Sequence, residues 1–200
     1  YIIVPFSEAP KVENLWSDDI EKTEFYYAPN WNKIDDPTFS QDGNTYKVTL
    51  PNGTFDTWQA HVKLFSKIGS TADKVYDFSV IFTPNQNHDN VTVKLTDSQS
   101  DENFLFAEKV KIEAGKPNEI KFTGVNGIDA ERLTLVFDFG WNPDNFEVEI
   151  SDITISEHVG EVEVPVWNYN PDGDLTKGAT YQNSTYYAYG NDWIGLNTNV

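Results

Sequence analysis

Apolar and polar residues alternate with a period of two along most of this chain, which is the spacing of the two faces of a β-strand. Clusters of turn-forming residues, among them SQDGN, PNGT and TPNQNHDN, separate the alternating segments. About eight to ten short strands at this spacing predict an all-β chain that folds as a two-sheet antiparallel β-sandwich, or jelly roll. We expect little helix.

The alternation also predicts which side chains face the core. In RLTLVFDFG, Asp138 points away from the apolar face, and in WQAHVKL the residues Gln59 and His61 share the side opposite the core. Strict alternation puts Trp58 on the core side. A residue at the first position of a strand can escape the pattern, however, so both placements of Trp58 stay open.

Two further segments leave the outward residue undecided. In NFLFAEKV, alternation groups Phe104 and Phe106 with Glu108, although only one of the two rings can face outward beside that acid. Tyr26 and Tyr27 point to opposite faces if their segment is extended, so at most one of them is expected at a ligand.

The strand pattern also bounds the domains. Residues 13–158 are predicted to form one β-sandwich domain, and residues 1–12 a leading linker or edge segment. Further on, NSTYYAYGNDWI resembles the earlier TEFYYAPNWNKI, with an offset of 160 residues between Tyr26 and Tyr186. We interpret residues 159–200 as a linker and the truncated start of a second, tandem module. Coincidence in an aromatic-rich chain is the alternative.

Charge narrows the possible partners. The chain has 32 acidic and 14 basic residues, and therefore a net charge of −18. Such a charge repels phosphate, so nucleic-acid binding is not expected, and anionic membranes and polyanionic sugars are disfavoured for the same reason. A neutral ligand or a cation is compatible. No window approaches the ~18 apolar residues of a membrane-spanning helix, and the absence of cysteine excludes disulfides and thiolate metal sites.

Aromatic residues beside amides or acids supply the candidate chemistry. The chain has 6 Trp, 10 Tyr and 13 Phe, several of them in segments rich in turn formers. A flat ring covers the C–H face of a pyranose, while an amide or carboxylate binds its hydroxyl groups. Rings that cap the sandwich and polar residues on a solvated sheet face are the alternatives. The candidate ligand-binding residues are Trp31, Trp58, Gln59, His61, Phe104, Phe106, Asp138, Trp141 and Asn142.

Catalytic motifs are not recognisable in the sequence. A glycosidase needs two carboxylates flanking one bond, and Asp138 lacks an evident partner. The three histidines lack the spacing of an HExxH metal site, and there is no G-x-S-x-G elbow. We therefore predict a binding module that is not an enzyme. The alternatives are an adhesion or surface-assembly domain without a sugar site, and a small all-β glycan-active enzyme.

The segments NLWSDDIEKTEFYYAPNWN, DTWQAHV, KVYDFSVIF and LVFDFGWNPDNFEVEISDITISEH occur in an order that resembles carbohydrate-binding modules of families 4, 16 and 22. The resemblance covers about residues 14–158 and is strongest to modules carried in tandem by xylanases of gut Bacteroidetes. It implies a jelly roll whose concave face binds xylan or xylo-oligosaccharides, or mixed-linkage β-glucan. It also implies a covalently linked glycoside hydrolase domain, such as an endo-1,4-β-xylanase.

The same resemblance implies roles for particular residues. It places the ring of Trp58 at the cleft, Asp138 in contact with a sugar, and an aromatic residue from NFLFAEKV on the cleft lining. At His61 the family commonly has Gln or Glu, and a neutral histidine can make similar hydrogen bonds. A structural Ca²⁺ is implied at the sandwich edge, with Asp152 of the last strand among its ligands.

The resemblance further implies a secreted, periplasmic or cell-surface protein. The chain opens YIIVPFSEAPK, without a basic region and cleavage site, so no signal peptide is visible. We interpret this start as a fragment boundary.

Overall fold

Ten antiparallel strands form two five-stranded sheets in residues 1–158, the first of two units into which the chain divides. The structure is a computed structural model that describes residues 12–17, 20–34 and 38–160 in full, and the backbone of two later strands. Sheet A contains, in spatial order, β1 (Lys22–Tyr27), β4 (Ala60–Phe65), β9 (Leu133–Asp138), β6 (His88–Asp97) and β7 (Ser100–Ile112). Sheet B contains β2 (Phe39–Asp42), β3 (Thr45–Leu50), β10 (Phe146–Glu157), β5 (Val75–Pro84) and β8 (Asn118–Asn126).

The core lies between the inner faces of these two sheets. Phe82 of β5 packs edge-on against Phe137 of β9, with ring centroids 5.3 Å apart and planes at 88°. Alternate residues are buried along strands such as Ala60–Phe65 and Val75–Pro84, where every second residue is inside. Burial of each large apolar side chain contributes about 1.5–3 kcal/mol. The prediction of an all-β, two-sheet sandwich of the jelly-roll type is confirmed.

Helical structure in the described residues is limited to two 3₁₀ turns, Pro29–Trp31 after β1 and Thr57–Gln59 before β4. None of the described residues forms a helix long and apolar enough to cross a bilayer.

The second unit comprises residues 159–200. Its described backbone is a pair of antiparallel strands, β11 (Val166–Tyr169) and β12 (Leu175–Gly178). The predicted start of a second module, including Tyr186, falls largely outside the described residues, as does most of the leading segment 1–12. Both stay predictions.

Simple alternation fails just before β4. Because Thr57–Gln59 is a 3₁₀ turn, Trp58 and Gln59 do not follow the period of the strand. Trp58 is 45% exposed, whereas Gln59 is fully buried. The open placement of Trp58 is thus resolved as outside the core. The predicted placement of Gln59 on the face opposite the core is wrong.

A β-bulge resolves the register of β7. Leu95 pairs with Phe106 and the next residue, Thr96, pairs with Phe104, so Leu105 is the extra residue on β7. The bulge reverses the side on which the following residues point. Phe104 is 45% exposed on the outer face, whereas Phe106 is 6% exposed and packs against Phe78 in the core. The grouping of the two rings on one face is therefore wrong.

Candidate functional site

The outer face of sheet A presents rows of side chains that cross all five strands. Residues that pair directly across antiparallel strands point to the same side, so the register defines each row. Neighbouring strands lie about 4.8 Å apart, and a row of five is therefore about 19 Å long. Row 1 consists of Tyr26, His61, Asp138, Thr92 and Lys109. Row 2 consists of Glu24, Lys63, Val136, Lys94 and Ala107. Row 3 consists of Lys22, Phe65, Thr134, Thr96 and Phe104.

The hairpin between β6 and β7 folds over row 3. The Thr96 hydroxyl donates to the carbonyls of Ser100 and Asn103 at 3.0 and 2.9 Å. The hydroxyls of Ser98 and Thr134 lie 2.8 Å apart. Thr96 and Thr134 are therefore buried, although they lie on the outer side of the sheet. The hairpin forms a border along one side of rows 1 and 2.

Four rings form a contiguous cluster at the β1 and β4 end of row 1, on the side away from the hairpin. Trp31 and Trp58 have centroids 5.7 Å apart, and Trp58 lies 6.0 Å from Tyr26. Tyr26 in turn stacks on His61 at 5.1 Å with an interplanar angle of 15°. We call these four residues the aromatic cluster. Since Trp31 is 63% and Trp58 45% exposed, the cluster presents ring faces to solvent beside row 1.

Local hydrogen bonds hold Trp58 outward. The carboxylate of Asp56 accepts from the backbone N–H of Thr57 at 2.7 Å and begins the 3₁₀ turn. Gln59 Oε1 accepts from the backbone N–H of Phe55 at 2.7 Å, and its Nε2 is buried without a partner in the described structure. Gln59 is therefore an internal anchor of this loop, and it offers no surface to a ligand.

The chain around Trp31 is strained. Asn30 and Trp31 have φ of 53° and 65°, in the left-handed region that costs a residue with a Cβ roughly 1–2 kcal/mol. The backbone N–H of Ala28 donates to the Gln59 carbonyl at 2.7 Å, which ties this loop to the one that carries Trp58. The fold thus retains an unfavourable backbone geometry at a highly exposed ring.

Trp141 lies on a neighbouring loop beyond β9. It has φ of 65° and is 55% exposed. Its backbone N–H donates to the Thr54 hydroxyl at 2.8 Å, and that hydroxyl donates to Asn142 Oδ1 at 2.8 Å. The preceding residue must be glycine, because a Cβ on Gly140 would lie 1.9 Å from the carbonyl oxygen of Asp56. Trp141 is therefore a solvent-facing ring on a tightly constrained backbone.

Asn142 is part of the scaffold and not of the surface. It is 4% exposed, and its Nδ2 donates to the carbonyls of Asn52 and Pro143 at 3.0 and 2.9 Å. Its donors and acceptor are thus used within the protein. The prediction that Asn142 contacts a ligand is corrected for this reason, as are those for Gln59 and Phe106, which are buried.

Asp138 lies at the centre of row 1, between His61 and Thr92. Burial raises the pKa of Asp138 to about 6, and the nearby Lys63 and Lys94 only partly oppose that effect. The carboxylate is therefore incompletely solvated and is suited to accept hydrogen bonds from a ligand.

His61 is held as a neutral acceptor. Burial lowers the pKa of His61 below its usual value of 6.5. Its Nδ1 lies 2.9 Å from the carbonyl oxygen of Trp58, which can only accept, so Nδ1 carries the proton. Nε2 is then left as an acceptor at the border between Asp138 and the aromatic cluster.

Row 2 is recessed between these borders. Val136 points outward but is only 4% exposed, which places it below the longer side chains that flank it. Lys63 and Lys94 pair with Val136 from the two neighbouring strands. Lys63 shares the outer face with His61, two residues earlier in β4, and was not among the candidate ligand-binding residues.

Tyr26 is the member of the Tyr26/Tyr27 pair that lies on the outer face of sheet A. It belongs to the aromatic cluster, whereas Tyr27 is 1% exposed and its hydroxyl donates to the Asn52 carbonyl at 2.7 Å. Phe55 is a further exposed ring, at 54%, which the sequence analysis did not select. Nothing in the alternation marks it, because it lies in the loop before the 3₁₀ turn.

Asp152 was assigned to calcium by the resemblance. It has φ of 51° at the bulge in β10, and its carboxylate accepts a hydrogen bond from the Ser151 hydroxyl at 3.1 Å. The next carbonyl, of Ile153, accepts from the side-chain amides of Asn14 and Asn44. In the fully described ranges, no three His, Cys, Asp or Glu side chains are grouped to hold a metal ion. Calcium is also bound by backbone and amide carbonyl oxygens, so the structural Ca²⁺ with Asp152 among its ligands stays a prediction of the resemblance.

Comparisons with known proteins agree on the fold. No family model matches the sequence, and no curated protein matches it. A family 4 carbohydrate-binding module (CBM4) of known structure is 20% identical, covers 68% of this chain and 86% of its own, and gives a TM-score of 0.52. The N-terminal cellulose-binding domain of β-1,4-glucanase C from Cellulomonas fimi is 14% identical, covers 76% of this chain and 99% of its own, and gives a TM-score of 0.53. The chain is therefore similar in fold to carbohydrate-binding modules.

Proposed function

We propose that this protein is a non-catalytic carbohydrate-binding module whose outer face of sheet A holds a single chain of a neutral, β-linked plant polysaccharide. Xylan and xylo-oligosaccharides are the proposed ligands, with mixed-linkage β-glucan as the second choice. The observation that carries the proposal is the juxtaposition of the exposed rings of Trp31 and Trp58 with the polar side chains of His61 and Asp138 in row 1.

In the proposed binding mode, aromatic rings and polar side chains contact different parts of the sugar. Trp58, Trp31 and Tyr26 cover the C–H faces of sugar rings, while Asp138 accepts from hydroxyl groups and His61 Nε2 accepts one more. The rows are about 19 Å long and accommodate several sugar units across the strands. Phe104, exposed at the far border, is a second place for a ring contact.

The expected affinity is moderate. Aromatic contacts contribute roughly 0.5–1.5 kcal/mol each beyond area burial, and a neutral hydrogen bond nets about 1 kcal/mol. Two or three rings and four hydrogen bonds supply roughly 5–8 kcal/mol; apolar area burial adds to this sum and the ordering of a flexible chain opposes it, so we expect a net of roughly 5–7 kcal/mol. That free energy corresponds to micromolar to sub-millimolar binding.

Such affinity suits a module that is covalently linked to an enzyme. We propose a secreted or cell-surface glycoside hydrolase, such as an endo-1,4-β-xylanase, as the linked partner. Tethering raises the effective concentration of the enzyme at its substrate without any new contact in the active site.

Calorimetric titration with xylohexaose, cellohexaose and a mixed-linkage glucan hexasaccharide tests the proposal. We expect xylohexaose to bind most tightly, and Trp58→Ala and Asp138→Ala each to weaken binding at least about tenfold, since each removes about 1.4 kcal/mol or more. Phe55→Ala is the matched control, because it removes a comparably exposed ring that belongs neither to the three rows nor to the aromatic cluster.

The possible results of these titrations lead to different conclusions about the ligand and the site. Tighter binding of cellohexaose corrects the ligand and keeps the site. An effect of Phe55→Ala as large as that of Trp58→Ala moves the site away from the aromatic cluster and row 1, towards the loop that carries Phe55. Absence of binding to all three sugars, with the protein folded, favours an adhesion domain. Release of reducing ends from xylan by the isolated chain contradicts a purely binding role.

A further inference from the structure

The centre of the site carries an unexpected positive charge. Lys63 and Lys94 flank the recessed Val136 in row 2, and the side chain of Lys63 is only 25% exposed. In the whole chain 32 acidic residues outnumber 14 basic ones. In the three rows of this face the balance is reversed, with four lysines against two carboxylates. The lysines are Lys22, Lys63, Lys94 and Lys109, and the carboxylates are Glu24 and Asp138. The hairpin that borders row 3 adds three acids, Asp97, Asp101 and Glu102.

Both ammonium groups converge on one residue of the hairpin. Lys63 Nζ lies 3.6 Å from Asp101 Oδ2, and Lys94 Nζ donates to the backbone carbonyl of Asp101. The Asp101 side chain is 66% exposed. An exposed ion pair of this kind contributes little to stability, so its carboxylate is readily displaced by another.

An aromatic ring of the neighbouring row helps to hold Lys94 in place. Its ammonium group lies 5.3 Å from the centroid of the Phe104 ring, within the range of a cation–π contact. Lys63 and Lys94 also both act on the pKa of Asp138, which shows that the two charges reach the middle of the face. The two lysines are thus held on either side of Val136 on the outer face of sheet A.

We propose that Lys63 and Lys94 bind a carboxylate of the ligand, so that the site selects a β-linked glycan carrying uronic acid side groups. Asp101 is then an internal counter-ion that the uronate displaces. This inference rests on the proposed function and specifies its ligand. The net charge of −18 argues against a continuous polyuronate, because such a chain is repelled as a whole. An isolated uronate on a neutral backbone adds a single charge, which can pair with the local lysines.

The test compares two xylo-oligosaccharides of equal length, one neutral and one bearing a single glucuronate. The readout is the ratio of their affinities in calorimetric titration at low salt and at about 0.5 M NaCl. We expect the wild-type protein to favour the uronate by about five- to tenfold at low salt. High salt should reduce that ratio towards one, because the contact is exposed enough to be screened.

Three variants identify the residues. Lys63→Met and Lys94→Met should each lower the ratio towards one, whereas Asp101→Asn should raise it by removing the competing carboxylate. Lys121→Met, which removes an exposed lysine from the outer face of sheet B, is the control and should leave the ratio unchanged. If Lys63→Met fails to fold, Lys94→Met and Asp101→Asn still decide the question.

The failures are distinguishable. Equal affinity of the wild-type protein for the two sugars, or a ratio that none of the three variants changes, overturns this inference and leaves the proposed function standing. Absence of binding to both sugars overturns the proposed function and this inference with it.

Discussion

The outer faces of sheets A and B follow the same alternation, but their charged and aromatic side chains differ in exposure and in pairing. On sheet B, opposite charges pair across strands, as between Lys47 and Glu149 at 3.4 Å, with both side chains well exposed. On sheet A, Asp138 is buried enough for its pKa to rise to about 6. Among the described residues, none of the exposed large hydrophobic side chains belongs to a strand of sheet B.

This difference shows where the fold tolerates unfavourable arrangements. The outer face of sheet B is an ordinary solvated surface, whose exposed ion pairs contribute little. Beside sheet A, an incompletely solvated carboxylate, exposed rings and the left-handed backbone of Trp31 occur together. Each has a cost, and such costs cluster at functional sites. The comparison, more than aromatic content, supports the outer face of sheet A as the proposed site.

The largest expected effect is on the free energy of unfolding, and it distinguishes the buried ring of β7 from the ring on the outer face of sheet A. Phe106→Ala removes a core ring in contact with Phe78 and Phe122, and should lower the free energy of unfolding by about 3–5 kcal/mol. Phe104→Ala removes an exposed ring and should lower it by less than about 1 kcal/mol, while weakening sugar binding. Urea unfolding and titration of both variants measure the contrast. Equal destabilisation by the two variants would contradict the bulge at Leu105.

That bulge also shows why the sequence predicted the fold better than the site. The strands of the sandwich were predicted because burial on one face imposes a period of two. The reversal between Phe104 and Phe106 depends on one extra residue, and local alternation contains no signal for it. Only a pairing partner on β6 reveals the shift.

The burial of Gln59 and Asn142 was missed for a related reason. Asn142 bonds to Thr54, which is 88 residues earlier in the chain, and Gln59 is turned inward by a 3₁₀ turn of three residues. An amide beside a tryptophan has the same local sequence whether it binds sugar or supports the loop. His61 and Asp138 were placed correctly because both lie within regular strands.

An effect of intermediate size is expected from Asp138, because the ionised carboxylate lowers the free energy of unfolding. The pKa of Asp138 is 3.8 in its unperturbed state and about 6 in the folded protein, so the folded state holds the proton more tightly. Stability is therefore lost as pH rises through about 4 to 6, and the ionised group destabilises the fold above that range. Asp138→Asn mimics the neutral acid. It should raise the free energy of unfolding by about 1–3 kcal/mol near pH 8, with no gain below about pH 4.

The difference between wild type and variant isolates Asp138 from its neighbours. His61, Lys63, Lys94 and Asp101 also face this carboxylate, and their own titration is largely common to both proteins. Glu149→Gln on sheet B is the matched control and should change stability by less than about 0.5 kcal/mol at either pH, because its ion pair is exposed. A stability loss for Asp138→Asn near pH 8 would show that the carboxylate is well solvated or well paired, and the contrast between the two faces would weaken.

The smallest effect concerns the backbone of the exposed Trp141, whose φ is 65°. Trp141→Ala and Trp141→Gly remove the same ring, but alanine keeps the left-handed strain and glycine does not. Glycine adopts this conformation freely, so Trp141→Gly should be more stable than Trp141→Ala by about 1 kcal/mol. Thermal unfolding of the two variants measures the difference, and sugar titration should show equal loss in both if the ring alone contacts the ligand. Equal stability would mean that the hydrogen bond from the Trp141 backbone N–H to Thr54, and not strain, governs the energetics of this loop.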